Sequence, residues 1–150
     1  MSKYTIQELR PRDFRKLDNI KKQPRRKKRQ WKQDLRSGNR RIYVCEENKK
    51  FIALGGLVYE ACDPDYTIPG QRVELVVLIV KEGRRGEGIG TAMVAFLCDE
   101  ARRQGFREIT LGVNKANAVA RHVYEKAGFD TLLFDGEDQW GAYLKLMKRL

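Results

Sequence analysis

A chain of 150 residues (17.5 kDa) is long enough to bury a real core and fits a single domain spanning 1–150. Hydrophobic residues at 41% support a globular protein, no run of about 18 apolar residues could span a bilayer, and the opening MSKYTIQELR lacks the apolar core of a signal peptide, so a soluble, cytoplasmic protein is expected. The formal charge of +11 is uneven: Arg10–Arg41 carries 15 Lys/Arg against 3 Asp/Glu, and the remainder nets −1.

In chain order, Lys3–Leu9 alternates as a first strand stopped by Pro11. Asp13 is placed to cap or to open a helix that turns Phe14, Leu17 and, as a further candidate, Ile20 inward. Pro24 interrupts, and a second helix is predicted from Arg25 to Arg36, ended by Ser37-Gly38. Its apolar stripe is only Trp31 and Leu35, so most of it faces solvent or a ligand. Three readings stand: a solvated basic face, a device for an anionic partner such as nucleic acid, the ribosome, an acidic protein or the CoA phosphates, or a nuclear-import signal in the run Arg25–Arg29.

Arg41–Glu46 and Phe51–Glu60 read as antiparallel strands, with Gly55-Gly56 marking a bulge or a close backbone approach. In the connection Ala61–Gly70, Asp63, Asp65 and Tyr66 either form turns or stand at the mouth of a site. Val73–Val80 is apolar on both faces, which predicts a central strand. A glycine turn follows, then a largely buried helix that includes Cys98 and ends at Gly105. Arg107–Val113 alternates as a strand reached through that helix, the βαβ pattern of parallel pairing. A helix from about Ala118 to Ala127 and two closing strands, Asp130–Phe134 and Gln139–Leu150, complete the order β-α-α-β-β-β-α-β-α-β-β. Cys45, Cys62 and Cys98 lack metal-ligand spacing, so reduced structural thiols and no metal are expected.

The stretch Arg72–Gly105 organises the chain as strand, anion-binding turn and helix. Gly86, Gly88 and Gly90 leave backbone amides open to a ligand, and the first amides of the helix suit a phosphate. A Walker loop fails because Ile89-Gly90 stand where Lys and Ser/Thr are required, and a dinucleotide GxGxxG fails at Thr91 or Met93. What remains is Arg85-Gly86-Glu87-Gly88-Ile89-Gly90, which resembles the Q/R-x-x-G-x-G/A signature of the GCN5-related N-acetyltransferases (GNAT). About 30 residues on, Asn117 to Phe129 (NAVARHVYEKAGF) resembles the second signature of that family, N-x-x-A-x-x-x-Y-E-K-x-G-F. The resemblance is strong from roughly Val73 to Phe129 and rests on element order before that.

It implies an α/β (α+β) fold with a mixed, mostly antiparallel central sheet, one parallel strand pair and flanking helices. It implies an enzyme that moves an acetyl group from acetyl-CoA, as co-substrate, directly to an amine of a small molecule or protein. Backbone groups of Leu78, Ile79 and Val80 would bind the pantetheine arm, and one amide would face the thioester carbonyl. Arg85 and the amides of Gly86, Glu87, Gly88, Ile89, Gly90 and Thr91 would hold the pyrophosphate. Asn117 would touch the same arm, or cap its helix. Tyr124 would protonate the departing sulfur, or serve as an apolar anchor.

Transfer to an amine also needs a base, because only about one lysine amine in a few thousand is neutral at pH 7. Glu74 is the lone charge inside the central strand, where burial would raise its pKa, and it aligns with a glutamate base in members resembling histone acetyltransferases. A strand-end glutamate paired with Arg72 is the bland reading. Glu60 is the substitute base. His122 has no triad partners and is read as a surface or packing residue. The basic segment favours an acidic acceptor over a polyamine or aminoglycoside. The alternative, from another class, is a nucleic-acid- or ribosome-associated module that uses residues 10–41 and keeps a non-catalytic acyl-CoA fold. A monomer or an edge-strand homodimer fits such a sheet.

Overall fold

Short β-branched and aromatic runs separated by glycine turns deliver seven strands to one sheet in this computed structural model, which describes residues 3–150. Met1 and Ser2, the first residues of the stretch read for a leader, lie outside the described residues. The strands are β1 (Thr5–Glu8), β2 (Arg40–Glu47), β3 (Lys50–Val58), β4 (Arg72–Val80), β5 (Glu108–Asn114), β6 (Thr131–Asp138) and β7 (Gly141–Arg149), in spatial order β1-β2-β3-β4-β5-β7-β6. All neighbours are antiparallel except β4 and β5. A 3-10 helix (Pro11–Asn19) and α1 (Arg25–Ser37) precede β2, α2 (Ile89–Arg103) links β4 to β5, and α3 (Ala118–Lys126) precedes β6. The expected α+β arrangement and element order are both present.

The two faces of the sheet bury different things. Val73, Leu75, Ile109, Leu111 and Val113 pack with Val94, Leu97 and Ala101 of α2 and with Tyr124 and Phe129 around α3. Phe14, Leu17, Ile20 and Trp31 cover Ile42, Val44, Phe51 and Leu54 from the other side. Alternation along β4 therefore sends Glu74 to the face opposite α2 and α3.

One reading needs correction and two are narrowed. Of the two places open to Asp13, the structure takes the second: the helix starts at Pro11 with no side-chain cap, and Asp13 lies in its first turn, paired with Lys16 at 3.1 Å. β3 stops at Val58, so Glu60 lies beyond the strand, exposed, its backbone held by the Asn39 side chain. The irregularity assigned to Gly55-Gly56 is shared. Leu54 faces Ile79 and Gly56 faces Val76, so Val77 and Leu78 oppose Gly55 alone and the extra residue belongs to β4. Gly55 supplies the close approach, since a Cβ there would come within 2.8 Å of Leu97 Cδ1.

Val77 takes φ 51°, a conformation that costs a β-branched residue about 1–3 kcal/mol. Its packing against the α1-side core holds it there. The bulge bends β4, and pairing with β5 covers only Arg72–Glu74 against Glu108–Thr110. From Leu75 to Val80 the β5-facing edge of β4 has no strand partner, and a cleft opens in the gap.

Candidate active site

The cleft measures about 660 Å³, within the range for small-molecule sites. Its floor is Leu78, Ile79 and Val80 at the free edge of β4, one wall is the turn Arg84–Thr91, and the other is α3 through Asn117, Ala120 and Tyr124. Every residue expected from the two motifs lines it except Glu87.

In the glycine turn, Gly83, Gly86 and Gly88 have φ of 88°, 82° and 83°, conformations that only glycine takes without strain. An added Cβ at Gly86 or Gly88 would meet nothing within 4 Å, so the backbone there is open to a ligand. Gly88 is the cap of α2, leaving the amides of Ile89, Gly90 and Thr91 at the positive end of the helix. The two arginines divide their work. Arg84 is bound by the Glu47 carboxylate at 2.9 Å and by the Glu87 carboxylate at 3.0 Å, which braces the turn and leaves the Glu87 amide, the group expected to meet the pyrophosphate, outside the pairing. Among the described residues Arg85 bonds only the Val80 carbonyl, at 3.4 Å, and keeps most of its fork for an anion.

Asn117 caps α3, its Oδ1 accepting the Ala120 amide at 3.1 Å, and it lines the cleft. Tyr124 is buried, with its ring edge-on to Phe129 at 5.9 Å, and its hydroxyl makes no hydrogen bond among the described residues. Burial raises its pKa, so the phenol holds its proton at neutral pH. His122 is exposed on the same helix, Cys45 and Cys98 are buried, and Cys62 is exposed rather than structural.

Glu74 does not line this cleft. It stands on the other face of the sheet, at the last residue where β4 pairs with β5, so the gap that opens beyond it separates Glu74 from Tyr124. Burial pushes its carboxyl up to about 7, with Arg40 opposing and Asp63 assisting. The bland pairing with Arg72 is absent, because Arg72 bonds Glu108 at 2.9 Å instead.

Around Glu74 the structure assembles a second wall with no local motif. Lys145 of β7 is buried, held by Asp63 and, at 3.1 Å, by Asp65, with its ammonium over the Phe134 and Tyr66 rings at 4.6 and 5.3 Å. Burial works against its charge, but the two carboxylates hold its pKa above the ordinary lysine value. Burial, with Glu74 nearby, also pushes the Tyr66 phenol up to about 12. Asp63 forms the turn considered for it, accepting the Asp65 amide at 2.9 Å, and both carboxylates also clamp the loop to β7 through Lys145. Thr110 adds a bond from Oγ1 to the Tyr66 carbonyl at 2.7 Å.

The Tyr66 hydroxyl lies where a Cβ on Gly112 would come within 2.5 Å. Gly112→Ala is expected to force the Tyr66 ring outward and lower stability by about 1–3 kcal/mol, read as a lower denaturant midpoint at unchanged slope. An unchanged midpoint would show that the loop gives way freely.

Lys21, Arg84, Val119, Ala120 and Val123 also line the cleft, beyond the residues expected. Val119 and Val123, like Ala120 and Tyr124, are spaced i, i+4, so helical periodicity on α3 could have found them. Lys21 follows the 3-10 helix and carries no sequence signal.

Among the described residues no cluster of three or more His, Cys, Asp or Glu could hold a metal, and no helix is long and apolar enough to cross a membrane.

Comparison with known proteins agrees with this geometry. The family model for "Acetyltransferase (GNAT) family" matches residues 3–129. Streptothricin acetyltransferase of Streptomyces lavendulae is 30% identical over 108 residues, 67% of this chain and 57% of that one. The chain spans about half the length of the curated relatives it matches, from 37% to 57%. Among solved structures, a ribosomal-protein-alanine N-acetyltransferase from Brucella melitensis superposes with a TM-score of 0.79 at 18% identity, covering 97% of this chain and 99% of that one. A Salmonella typhimurium structure solved with its cofactor acetyl-CoA superposes with a TM-score of 0.75 at 19% identity, covering 99% and 95%.

Proposed function

This chain belongs to the acetyltransferase (GNAT) family, and from that premise we propose that it moves an acetyl group from acetyl-CoA directly to an amine of a small-molecule or protein acceptor. The observation that carries the reading is the gap between β4 and β5, with a proton-bearing phenol on one side of the sheet and a half-neutral carboxyl on the other.

The residues fit the co-substrate. Arg85, the open turn Gly86–Gly88 and the first amides of α2 present positive partial charge for a pyrophosphate. The unpaired edge of β4 offers backbone donors and acceptors to the pantetheine amides, as an added strand would take them. Acetyl-CoA, when bound, supplies an activated thioester. An amide at Leu78–Val80 polarises the carbonyl, Glu74 takes the proton of the attacking amine, and Tyr124 holds the proton destined for the sulfur. Among the described residues no cysteine lines the cleft, which favours direct transfer over an acyl group resting on a cysteine.

The relatives do not choose the acceptor, since one printed name specifies streptothricin and another a ribosomal-protein alanine. The wall of Tyr66, Asp63, Lys145 and Arg40 around Glu74 is where acceptor selection is expected. A purely binding role is disfavoured, because the family model and the curated relatives are those of acetyltransferases.

The test is thermal unfolding with acetyl-CoA against ATP and NAD as anionic controls. At about 100 times its Kd, acetyl-CoA should add about 2.7 kcal/mol of stability where the controls do not. Arg85→Ala should weaken binding by about tenfold or more, the worth of a hydrogen bond to a charged group. Equal shifts from all three ligands would end the reading.

A further inference from the structure

We propose that the exposed flank of α1 binds the sugar-phosphate backbone of a nucleic acid, in addition to any acetyl transfer. Arg25, Arg29, Lys32 and Arg36 follow i, i+4, i+7 and i+11 and so form one stripe about 16 Å long. All four are exposed. Among the described residues the acidic groups nearby are already taken: Asp18 pairs with Lys28 at 2.9 Å, Asp34 with Arg40 at 3.4 Å and Asp13 with Lys16 at 3.1 Å. The Lys32 ammonium sits over the Phe14 ring at 5.1 Å, which places the 3-10 helix against this flank and adds its exposed Arg12 and Arg15 to the surface.

The helix is not helped by these charges. Its first turn contains no acidic residue and opens with Arg25-Arg26-Lys27-Lys28 at the end where positive charge is unfavourable, and no side chain caps it. Burial of Trp31 keeps it in place. A segment that needed only to cover the sheet gains nothing from this arrangement, whereas a polyanion would be held by it.

Two features favour phosphate over an acidic protein surface. The stripe is mainly arginine, whose planar fork matches phosphate oxygens in pairs. Among the described residues the patch also has no exposed apolar anchor: the exposed large hydrophobics, Val119, Leu132, Phe134 and Trp140, all lie elsewhere. Protein interfaces build a core from such residues, and backbone contacts to nucleic acid do not need one.

The test is fluorescence anisotropy with a short labelled single-stranded RNA and, in a second arm, duplex DNA, titrated at several salt concentrations. Affinity should fall log-linearly with salt. In R25Q/R29Q/K32Q/R36Q the slope for the single strand should shrink by about 3, and in R25Q/R29Q, which spares the contact with Phe14, by about half of that. An unchanged thermal midpoint for the double variant keeps folding out of the comparison. Glu74→Gln should bind RNA as the wild type does, so this result stands or falls apart from acetyl transfer. No binding, a slope unmoved by both variants, or displacement of the RNA by polyglutamate at equal charge would overturn the proposal, the last by making an acidic protein the better occupant.

Discussion

Glu74→Gln is expected to lower kcat/KM for acetyl transfer by about 10²- to 10⁴-fold while leaving the Kd for acetyl-CoA unchanged. Glutamine preserves the shape of the side chain and removes its capacity to accept a proton. The cleft that would hold the co-substrate lies across the sheet from Glu74, so binding there should be indifferent to the change. With the carboxyl at about 7, wild-type kcat/KM should rise as pH increases through 7, because the ionised form is the base. The variant should lose that inflection.

Stability offers an independent check with the opposite sign. The native carboxyl holds its proton between the ordinary 4.5 and about 7, where the unfolded chain has released it, so the native state binds more protons in that window. Glu74 therefore costs stability as pH rises from 4.5 to 7, by about 3 kcal/mol in all, and the cost is complete above 7. Glutamine removes it, so the variant at pH 8 should unfold no earlier than the wild type. A variant that loses both activity and thermal midpoint would assign Glu74 to packing, and unchanged turnover would remove it from the chemistry.

What could be read in advance follows the range of the interactions. The turn at Arg84–Gly90 and the register of Asn117 and Tyr124 on α3 are local: glycine φ angles, helix spacing and a cap act over a few residues, and the sequence pattern states them directly. Strand existence was legible for the same reason. The gap between β4 and β5 was not, because it depends on Val77 opposing Gly55 across two strands, and the glycines were the visible half of that irregularity. The division between Arg84 and Arg85 was hidden likewise, since Glu47 reaches the turn from the end of β2. Lys145 joins Asp63 and Asp65 across some eighty residues, and nothing in its own strand distinguishes it from an exposed lysine. Asp13 left two places open because a capping residue and a residue within the first turn look alike until the chain direction at Pro11 is known.

Tyr124→Phe is expected to reduce kcat by about a hundredfold or more, the usual worth of a positioned acid, with little change in acetyl-CoA affinity. The ring and the hydroxyl do separable things here. The ring fills the α3 side of the core against Phe129, and phenylalanine keeps that contact. The hydroxyl has no partner among the described residues, so its removal strands no donor or acceptor, and stability should change by less than about 1 kcal/mol. Burial raises its pKa, which keeps the proton on oxygen through the neutral range, as an acid waiting for a thiolate requires. The loss should therefore appear in kcat, where the sulfur departs, and not in the binding of either substrate. Should kcat hold in the variant, the phenol is only an anchor and the sulfur must take its proton from water in the cleft. Should the acetyl-CoA Kd rise in step with the loss of kcat, the hydroxyl holds the ligand rather than the proton.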